Sequence, residues 1–586
     1  MGNETLSRRA FLKGAATTGT LAMAGSFLGC APASQEGVDG AAKKEGKGAE
    51  GSLSETDGAQ GTSEWLGVQP ELPDFFDEEV TADIVVLGAG VAGVSACRAA
   101  IEAGATVALF EKSSGVSSRS QDYVCLGSSW MAEHFPSIPD MDEIKWDFLH
   151  ATAKGSLLRT KDAIWAKWAD LNGAYFDWWI GAVPEDELSS GSEQNGNKPE
   201  EGKHSVTIKM WPMPAHYAPS DELYPSFAGT AVLMGAEGGG CLAFTQANYD
   251  KACEVGGDRL ATYFEAPAER LITDDSGKVT GAVIRCFDGR VIRANADKAV
   301  ILATGDFLNN MAMMEQFCPR EVRCGYTPEK TIYPGTDKNG DHLNVGDGHK
   351  MGMWAGARMQ VDGCCMTHME KQEVEAIGTD PCLWLDKTGN RFMNEDCQAC
   401  HMSQRLDELP DKTIFQIFDG SILDDLEWMP YGHHRVVNQT QEGLDEAVEA
   451  GALLRADTLD ELFSQIEGLD VEAAKATVER YNQFCAAGKD DDFGKTPSRL
   501  FAVDTPPFYC VTWGGNVSLV TLSGLESDEN CHVYREDGSI LPGLYVCGNV
   551  QGNRWALEYA ETALGMSHAM ALTYGRVAAE NAVNGV

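Results

Sequence analysis

The stretch that most constrains the fold of this chain is residues 81–112, TADIVVLGAGVAGVSACRAAIEAGATVALFEK. Its apolar run at 84–87 is typical of a buried parallel strand, the alanine-rich segment at 94–103 is typical of a helix, and the run at 106–110 indicates a second strand. Glu111 stands at the end of that second strand, about 20 residues beyond the glycines. This order predicts a β–α–β unit that binds a dinucleotide.

Three glycines, Gly88, Gly90 and Gly93, form the pattern GxGxxG where the first strand turns into the helix. The first glycine permits a tight turn, the second lets the backbone approach a pyrophosphate, and the third lets the helix pack closely on the strand. The helix N-terminus then offers free N–H groups to the phosphates. The motif alone leaves open whether the dinucleotide is FAD or NAD.

The composition sets broad limits on domains and partners. A chain of 586 residues with 43% hydrophobic content is long enough for two to four domains with large cores. Its 88 acidic and 46 basic residues give a net charge of −42, which argues against nucleic acid as a partner and against binding an anionic membrane surface by charge. The 17 cysteines are too few for a disulfide scaffold in a chain of this length.

The first 64 residues predict an export signal followed by a tether. Residues 1–30 contain SRRAFLK at 7–13 and a mildly apolar run at 14–28, a pattern typical of a twin-arginine signal peptide and of an extracytoplasmic protein. The letters FLGC at 27–30 are similar to a lipoprotein cleavage box, so simple cleavage and lipid attachment at Cys30 both stay open. Residues 31–64 lack aromatic residues and predict a disordered linker.

Beyond the dinucleotide unit, helical spacing covers 146–179, and short strands are predicted at 261–264, 269–273, 281–286 and 289–293. KAVILAT at 298–304 predicts a buried strand.

Four later segments resemble the fumarate reductase and succinate dehydrogenase family of FAD flavoproteins, which includes the 3-ketosteroid dehydrogenases. ATGDF at 303–307 is similar to the family's ATGGF turn, with Asp306 in place of a glycine, and NVGDGHKM at 344–351 is similar to its GDG helix start. KTGNRFMNE at 387–395 resembles the GxRFxNE segment of its mobile cap, and residues 543–576 resemble its flavin-closing C-terminus.

The resemblance extends over about residues 80–586 and implies FAD rather than NAD. It implies an α/β fold, in which a Rossmann-like FAD-binding domain of residues 80–361 and 516–586 carries an inserted α+β cap domain of residues 362–515. The residues expected to bind FAD are Gly88, Gly90, Ala92, Gly93, Glu111, Lys112, Ser118, Ala303, Thr304, Gly305, Asp347, Gly548, Asn549, Gly565, Met566 and Ser567.

The resemblance also implies reduction of an activated C=C bond by hydride transfer from flavin N5 to one carbon and protonation of the adjacent carbon. Such a site needs a cation or donor over the carbonyl oxygen and a positioned acid. Ala399 stands where the family's proton-donating arginine is expected, and Val520 stands where a histidine is expected. Loss of these two groups argues against fumarate and favours a larger, neutral substrate, because unpaired cations in an apolar pocket are costly.

Four residues are candidates for the remaining catalytic roles. Arg554 lies at the family's GxNR position and is expected to bind the carbonyl oxygen. Tyr559, Tyr333 and His368 are the candidates for the proton donor, since the 3-ketosteroid dehydrogenases use a tyrosine beside the same flavin.

Several substrates remain open at this point. Within the family the sequence most resembles the exported reductases of gut actinobacteria, which favours the α,β-unsaturated lactone of cardiac glycosides such as digoxin. The alternatives are another enone or acrylate (a ketosteroid, a phenylpropenoate or urocanate) and an exported flavin electron carrier without an organic substrate. The sequence has no second GxGxxG for a nicotinamide, so a membrane or extracytoplasmic electron donor is expected. The oligomeric state stays open.

The cysteines allow three interpretations. CQACH at 397–401 matches the attachment pattern of haem c, but a protein that folds before export and carries the motif within its cap is not expected to receive haem. A [4Fe-4S] cluster bound by Cys364, Cys365, Cys397 and Cys400 is the second interpretation, because thiolates favour iron–sulfur ligation. Buried free thiols are the third.

Overall fold

The computed structural model of the chain describes residues 64–586 apart from 137, 139, 156–158, 191–199, 210–212, 219–225, 332–334, 362, 364, 370–374, 398, 433–434, 436–438 and 560–561. The predicted signal peptide and nearly all of the predicted linker lie outside these residues. Within the described ranges, no helix combines the length and the apolar character needed to cross a bilayer.

The strands of the described part are β1 (Glu78–Leu87), β2 (Val107–Phe110), β3 (Asp122–Val124), β4 (Leu188–Ser189), β5 (His204–Lys209), β6 (Thr230–Met234), β7 (Leu260–Tyr263), β8 (Ala268–Thr273), β9 (Val279–Arg285), β10 (Val291–Leu302), β11 (Cys365–Met369), β12 (Leu383–Leu385), β13 (Thr413–Phe418), β14 (Leu454–Ala456), β15 (Phe508–Gly514), β16 (Asn516–Thr521), β17 (His532–Tyr534) and β18 (Ile540–Val546).

The α-helices of the same residues are α1 (Val91–Glu102), α2 (Ser129–His134), α3 (Met141–Gly155), α4 (Asp162–Ile180), α5 (Cys241–Gly256), α6 (Met311–Phe317), α7 (Pro319–Arg323), α8 (Asp347–Trp354), α9 (Ala399–Glu408), α10 (Ile422–Asp425), α11 (Gln441–Glu449), α12 (Leu459–Ser464), α13 (Val471–Ala487) and α14 (Met566–Asn584).

The main sheet has the strand order β17-β18-β10-β1-β2-β7, and β9 pairs antiparallel with the first half of β10 while β8 pairs with β9. The strands β18, β10, β1, β2 and β7 run parallel. The chain leaves β1 in one direction through α1 to β2, and β10 lies on its other side. The carboxyl ends of β1 and β10 therefore meet where the strand order reverses, which is where open α/β sheets bind ligands.

Both faces of the parallel strands are buried, which explains their continuous apolar sequence. Val86 and Ile301 belong to a core shared with α1 and α14, whereas Val85 and Val300 belong to a core on the opposite face shared with α6 and α8. Helices α1 and α14 pack closely, because a Cβ at Gly575 would lie 2.3 Å from the carbonyl oxygen of Ala92.

One predicted detail was wrong. The segments predicted as separate strands at 289–293 and 298–304 form the single strand β10, because β1 pairs with it from residue 292 to residue 302. The helical spacing predicted at 146–179 is confirmed, since α3 and α4 cover most of that range.

The segment GxRFxNE of the predicted cap domain lies among buried charges. Arg391 donates to both carboxylate oxygens of Glu395 at 2.7 Å and to those of Asp490 at 2.9 and 3.0 Å. This motif therefore holds the 490–495 loop against its own domain. The sheet β12-β13-β15-β14 lies wholly within residues 362–515, and β11 pairs antiparallel with β16 across the predicted boundary at 515 and 516. The domain boundaries stay a prediction.

Candidate functional site

A cavity of about 550 Å³ opens at the carboxyl ends of β1, β2 and β10. Most of the residues predicted to bind the dinucleotide line it, namely Gly88, Gly90, Ala92, Glu111, Lys112, Ser118, Ala303, Thr304, Gly305, Asp347, Gly548, Asn549 and Ser567. These residues come from segments up to 479 positions apart, from Gly88 to Ser567. The cavity is thus the place where the separate sequence motifs meet.

The glycine-rich turn is shaped by close backbone contacts. Gly88 has φ +106°, and a Cβ there would lie 2.4 Å from the carbonyl oxygen of Ala303. A Cβ at Gly93 would lie 1.9 Å from the carbonyl oxygen of Gly88. Gly93 therefore does not line the cavity but lets α1 begin directly behind the turn, as the sequence predicted for a third glycine.

Three helices begin at this cavity. The first turns of α1, α8 and α14 contribute Val91, Asp347 and Ser567 to its lining. The residues before these helices are Gly90, Gly346 and Gly565, which have no side chain of their own to cap the helix. Uncapped N–H groups at helix N-termini favour negatively charged groups such as phosphates.

Gly565 and Met566 support the cavity from behind. Gly565 has φ +85° and a Cβ there would lie 2.6 Å from the backbone of Asp122, while Met566 is fully buried in the core.

Glu111 joins the two ends of the β–α–β unit. Its Oε2 accepts a hydrogen bond from the Ala89 N–H at 2.6 Å, and its Oε1 accepts one from the Ser113 N–H at 2.7 Å. The carboxylate thereby fixes the glycine-rich turn and still faces the cavity. The next residue, Lys112, forms an ion pair with Asp347 at 3.5 Å, which links β2 to the start of α8.

Several polar atoms at the cavity have no hydrogen-bond partner within the described part of the chain. They are Ser118 Oγ, Thr304 Oγ1 and Asp306 Oδ2. Buried polar groups are normally paired, so these atoms fit a bound molecule with its own donors and acceptors. Together with the glycine turn and the three helix N-termini, they match the needs of a dinucleotide with a pyrophosphate and a polar ring.

A profile of the FAD binding domain family matches residues 83–556. The chain belongs to this family. It is an FAD-dependent oxidoreductase, as the sequence predicted, and the FAD-binding residues named above fit the cofactor.

Several known proteins of similar sequence are reductases. A vinyl phenol reductase of Lactiplantibacillus plantarum is 26% identical over 85% of this chain and 96% of its own length. A digoxin reductase of Eggerthella lenta is 25% identical over 93% of this chain and 91% of its own length. The 3-ketosteroid-Δ4-(5α)-dehydrogenase of Rhodococcus jostii has a similar fold, with a TM-score of 0.62 and 22% identity over 87% of this chain and 98% of that one. The predicted α/β flavoprotein fold is confirmed.

Arg554 lies beside the cavity rather than in its lining. It is 1% exposed, its Nε donates to the Gln551 carbonyl at 3.0 Å, and its Nη2 donates to Asn549 Oδ1 at 3.3 Å. Its Nη1 is buried without a partner among the described residues. Burial lowers the pKa of Arg554 to about 10, so the guanidinium stays charged at neutral pH.

The loop that carries Arg554 is held by residues that the sequence did not single out. Trp165 Nε1 donates to the Arg554 carbonyl at 2.8 Å. Gln360 donates to the Trp555 carbonyl at 2.7 Å and accepts from the Asn553 N–H at 2.8 Å. No local pattern identifies these residues, because they lie about 190 or more positions from the loop that they hold.

Tyr559 is buried, and its hydroxyl accepts a hydrogen bond from the Ser567 N–H at 2.7 Å. Ser567 Oγ in turn donates to Asn549 Oδ1 at 3.2 Å, the same atom that Arg554 contacts. Two of the predicted catalytic residues are thus joined through cavity-lining residues. Tyr333 and the side chain of His368 lie outside the described residues, so their roles stay predictions.

The positions where the family's charged groups are missing lie close together. Val520 pairs with Met366 across β16 and β11. Both belong to one apolar cluster with Cys400, Leu522 and Tyr559. Ala399, whose side chain is outside the described part, begins α9 immediately before Cys400. We call Met366, Cys400, Val520 and Leu522 the apolar wall.

The predicted iron–sulfur cluster receives no support here. Among the residues that the structure describes, no group of three or more His, Cys, Asp or Glu side chains could hold a metal ion. Cys365 and Cys400 are buried, Cys397 is partly buried, and Cys364 lies outside the described residues. The cluster therefore stays a prediction.

Proposed function

We propose that this flavoprotein reduces the activated C=C bond of a neutral, largely apolar substrate, and that its substrate is the α,β-unsaturated lactone of cardiac glycosides such as digoxin. Bound FAD supplies the hydride. The chain's own residues bind the carbonyl oxygen, exclude water and deliver one proton to the carbon next to the carbon that receives the hydride.

The observation that carries the proposal is the apolar wall. Its member Val520 stands where related enzymes are expected to have a histidine, and Ala399, where an arginine is expected, begins α9 immediately before its member Cys400. The wall adjoins the end of β10, since the Phe307 N–H donates to Thr521 Oγ1 at 3.5 Å. Asp306, which lines the cavity, precedes Phe307 in the chain, and Val520 precedes Thr521. This contact therefore brings the apolar wall next to the cavity. A steroid nucleus suits such a wall, because burying apolar surface is worth about 25 cal/mol per Å².

Arg554 is the residue proposed to bind the lactone carbonyl. Hydride addition places negative charge on that oxygen, and a buried cation with one unpaired N–H group stabilises such charge strongly. Tyr559 is the proposed proton donor among the described residues. Its oxygen accepts the N–H of the cavity-lining residue Ser567, which places the phenol, a group that can donate a proton, next to the cavity.

The relatives support a reductase but not one substrate. The vinyl phenol reductase and the digoxin reductase are similar to this chain to nearly the same extent, 26% and 25%. Digoxin is favoured because that relative covers more of this chain and because the wall is apolar.

The test is anaerobic reduction of the purified holoenzyme, followed by addition of digoxin, fumarate, urocanate or cinnamate while flavin absorbance is recorded. The expected result is that digoxin reoxidises the flavin and fumarate does not. Reoxidation by an acrylate but not by digoxin would overturn the substrate. Reoxidation only by redox proteins would indicate an electron carrier.

Variants separate the role of Arg554 from stability. Arg554→Gln removes the cation and is expected to lower kcat/KM for digoxin by about 100-fold or more, with the flavin spectrum unchanged. Arg290→Gln is the matched control, since Arg290 is an exposed arginine directly before β10, at the far end of that strand from the cavity, where it pairs with Asp288 and Glu78. Equal loss in both variants would contradict the proposed role.

We also propose that the protein works outside the cytoplasm and receives electrons from a membrane or extracytoplasmic donor. The twin-arginine pattern at residues 7–13 supports export, and the absence of a second GxGxxG from the sequence supports an external donor. Replacing both Arg8 and Arg9 with lysine is expected to retain the protein inside cells, as measured by fractionation. Unchanged export would contradict the proposed signal.

A further inference from the structure

Asp306 is a buried carboxylic acid at the FAD cavity that the reaction described above does not use. It lines the cavity and is 1% exposed. Its Oδ1 accepts the Leu308 N–H at 3.0 Å, and its Oδ2 has no hydrogen-bond partner among the described residues. The ATGGF turn that residues 303–307 resemble has a glycine where this chain has Asp306.

The surroundings of Asp306 oppose its negative charge. Burial raises the pKa of the Asp306 carboxyl, and the positive charge of Arg119 together with the hydrogen bond from the Leu308 N–H only partly offsets that effect. Arg119 and Asn344 also line the cavity. Burial therefore favours the neutral form of the acid, and the balance between its two forms responds to any further charge placed in the cavity.

Reduction of FAD supplies such a change, because electrons add negative charge to the cavity. We propose that Asp306 takes up a proton when the bound FAD is reduced and releases it when the FAD is reoxidised. Two electrons enter from the external donor, and one proton from solvent binds to Asp306 in addition to any that bind to FAD itself. When a hydride leaves for the substrate, Asp306 returns its proton to solvent.

This uptake makes the midpoint potential of FAD depend on Asp306. Added negative charge raises the pKa of the carboxyl further in the reduced protein. Between the pKa values of the oxidised and the reduced protein, reduction binds one extra proton. In that window the potential falls more steeply with rising pH, by about 30 mV per pH unit for one proton and two electrons.

Other titratable groups near Asp306 are poor alternatives, with one exception. Cys318, Cys365 and Tyr326 face it, and burial raises the pKa of each well above neutral, so they keep their protons. The exception is His568, which lines the same cavity and whose pKa is lowered by burial.

The experiment measures the midpoint potential against reference dyes from pH 5 to pH 9 for the wild type, Asp306→Asn and His568→Gln. We expect Asp306→Asn to lose the extra pH dependence and His568→Gln to keep it. Parallel pH profiles for the wild type and Asp306→Asn would overturn the proposal. Loss of the extra slope in His568→Gln alone would assign the proton to His568 instead.

A second variant covers the case in which Asp306→Asn does not bind FAD. Asp306→Gly restores the residue typical of this turn, and the extra slope should be absent from it as well. A pH indicator in weakly buffered solution measures proton uptake during anaerobic reduction. Within the same pH window, the wild type should take up one proton per two electrons more than Asp306→Gly. Equal uptake in both proteins would overturn the proposal. These measurements need no organic substrate, so they stand apart from the digoxin test.

Discussion

Replacing Glu111 with glutamine tests how the glycine-rich turn is held for FAD. The carboxylate accepts two backbone N–H groups, from Ala89 at 2.6 Å and Ser113 at 2.7 Å. A glutamine of the same shape keeps one acceptor oxygen, but its NH₂ group cannot accept. One of the two N–H groups then loses its partner, at a cost of about 1–3 kcal/mol.

The turn can relieve this cost only by moving away from the geometry that FAD requires. Binding FAD must restore that geometry, so the Kd for FAD should rise by roughly 5- to 150-fold, since about 1.4 kcal/mol corresponds to a factor of ten. Titration of the apoprotein with FAD, followed by quenching of flavin fluorescence, measures this change.

The control for Glu111→Gln is Glu102→Gln. Glu102 is a carboxylate at the other end of α1 that pairs with Arg98 at 2.7 Å. The substitution Glu102→Gln is expected to leave the Kd for FAD within about twofold of the wild type, because Glu102 does not line the cavity. If Glu111→Gln binds FAD as tightly as the wild type, the two hydrogen bonds do not set the geometry of the turn and the reasoning is refuted.

Three further changes test other parts of the structure. Gly93→Ala places a Cβ 1.9 Å from the Gly88 carbonyl oxygen, so FAD binding should weaken by roughly 30-fold or more, and a normal flavin content after purification would contradict this. Val520→His adds a polar ring to the apolar wall and should lower kcat/KM for digoxin by roughly tenfold in the flavin reoxidation assay, whereas unchanged turnover would place Val520 away from the substrate. His349 is fully buried, and desolvation outweighs the backbone of Ser523 and lowers its pKa to about 3. The unfolded chain binds a proton at this histidine below about pH 6.5, whereas the folded chain does not. The free energy of unfolding therefore decreases as the pH falls from about 6.5 to about 3, and it is about 2 kcal/mol lower at pH 5. Between pH 7.5 and pH 5, the melting temperature should fall less in His349→Leu than in the wild type. Equal decreases would show that His349 does not cause the pH dependence.

The main motifs were predictable from sequence because each depends on local backbone geometry. The GxGxxG turn requires glycine where no Cβ fits, and the contacts of Gly88 and Gly93 confirm that reason. The segment at 303–307 follows a buried strand in the structure as in the prediction. Motifs of this kind act within a few residues, so their positions along the chain fix the nucleotide-binding end of the fold.

Other features depended on residues that are distant in sequence. The segment at 387–395 looked like part of an active-site cap, yet its arginine is occupied by Glu395 and by Asp490, nearly a hundred residues later. The two predicted strands around residue 295 became one because β1 lies alongside both. Arg554 is held by Trp165 and Asn549 in a buried position that no pattern in its own loop indicates.

The sequence by itself therefore determined the β–α–β unit, because glycine spacing and strand–helix order act locally, and the resemblance of its later segments to FAD flavoproteins indicated the family and the cofactor. Only the tertiary structure decided that Asp306, Arg119 and Asn344 share one wall of the cavity and that Val520 packs against Met366. The physical reason is that the ionisation of a carboxyl and the polarity of a pocket depend on all the groups within a few ångströms, and the chain gathers those groups from segments hundreds of residues apart.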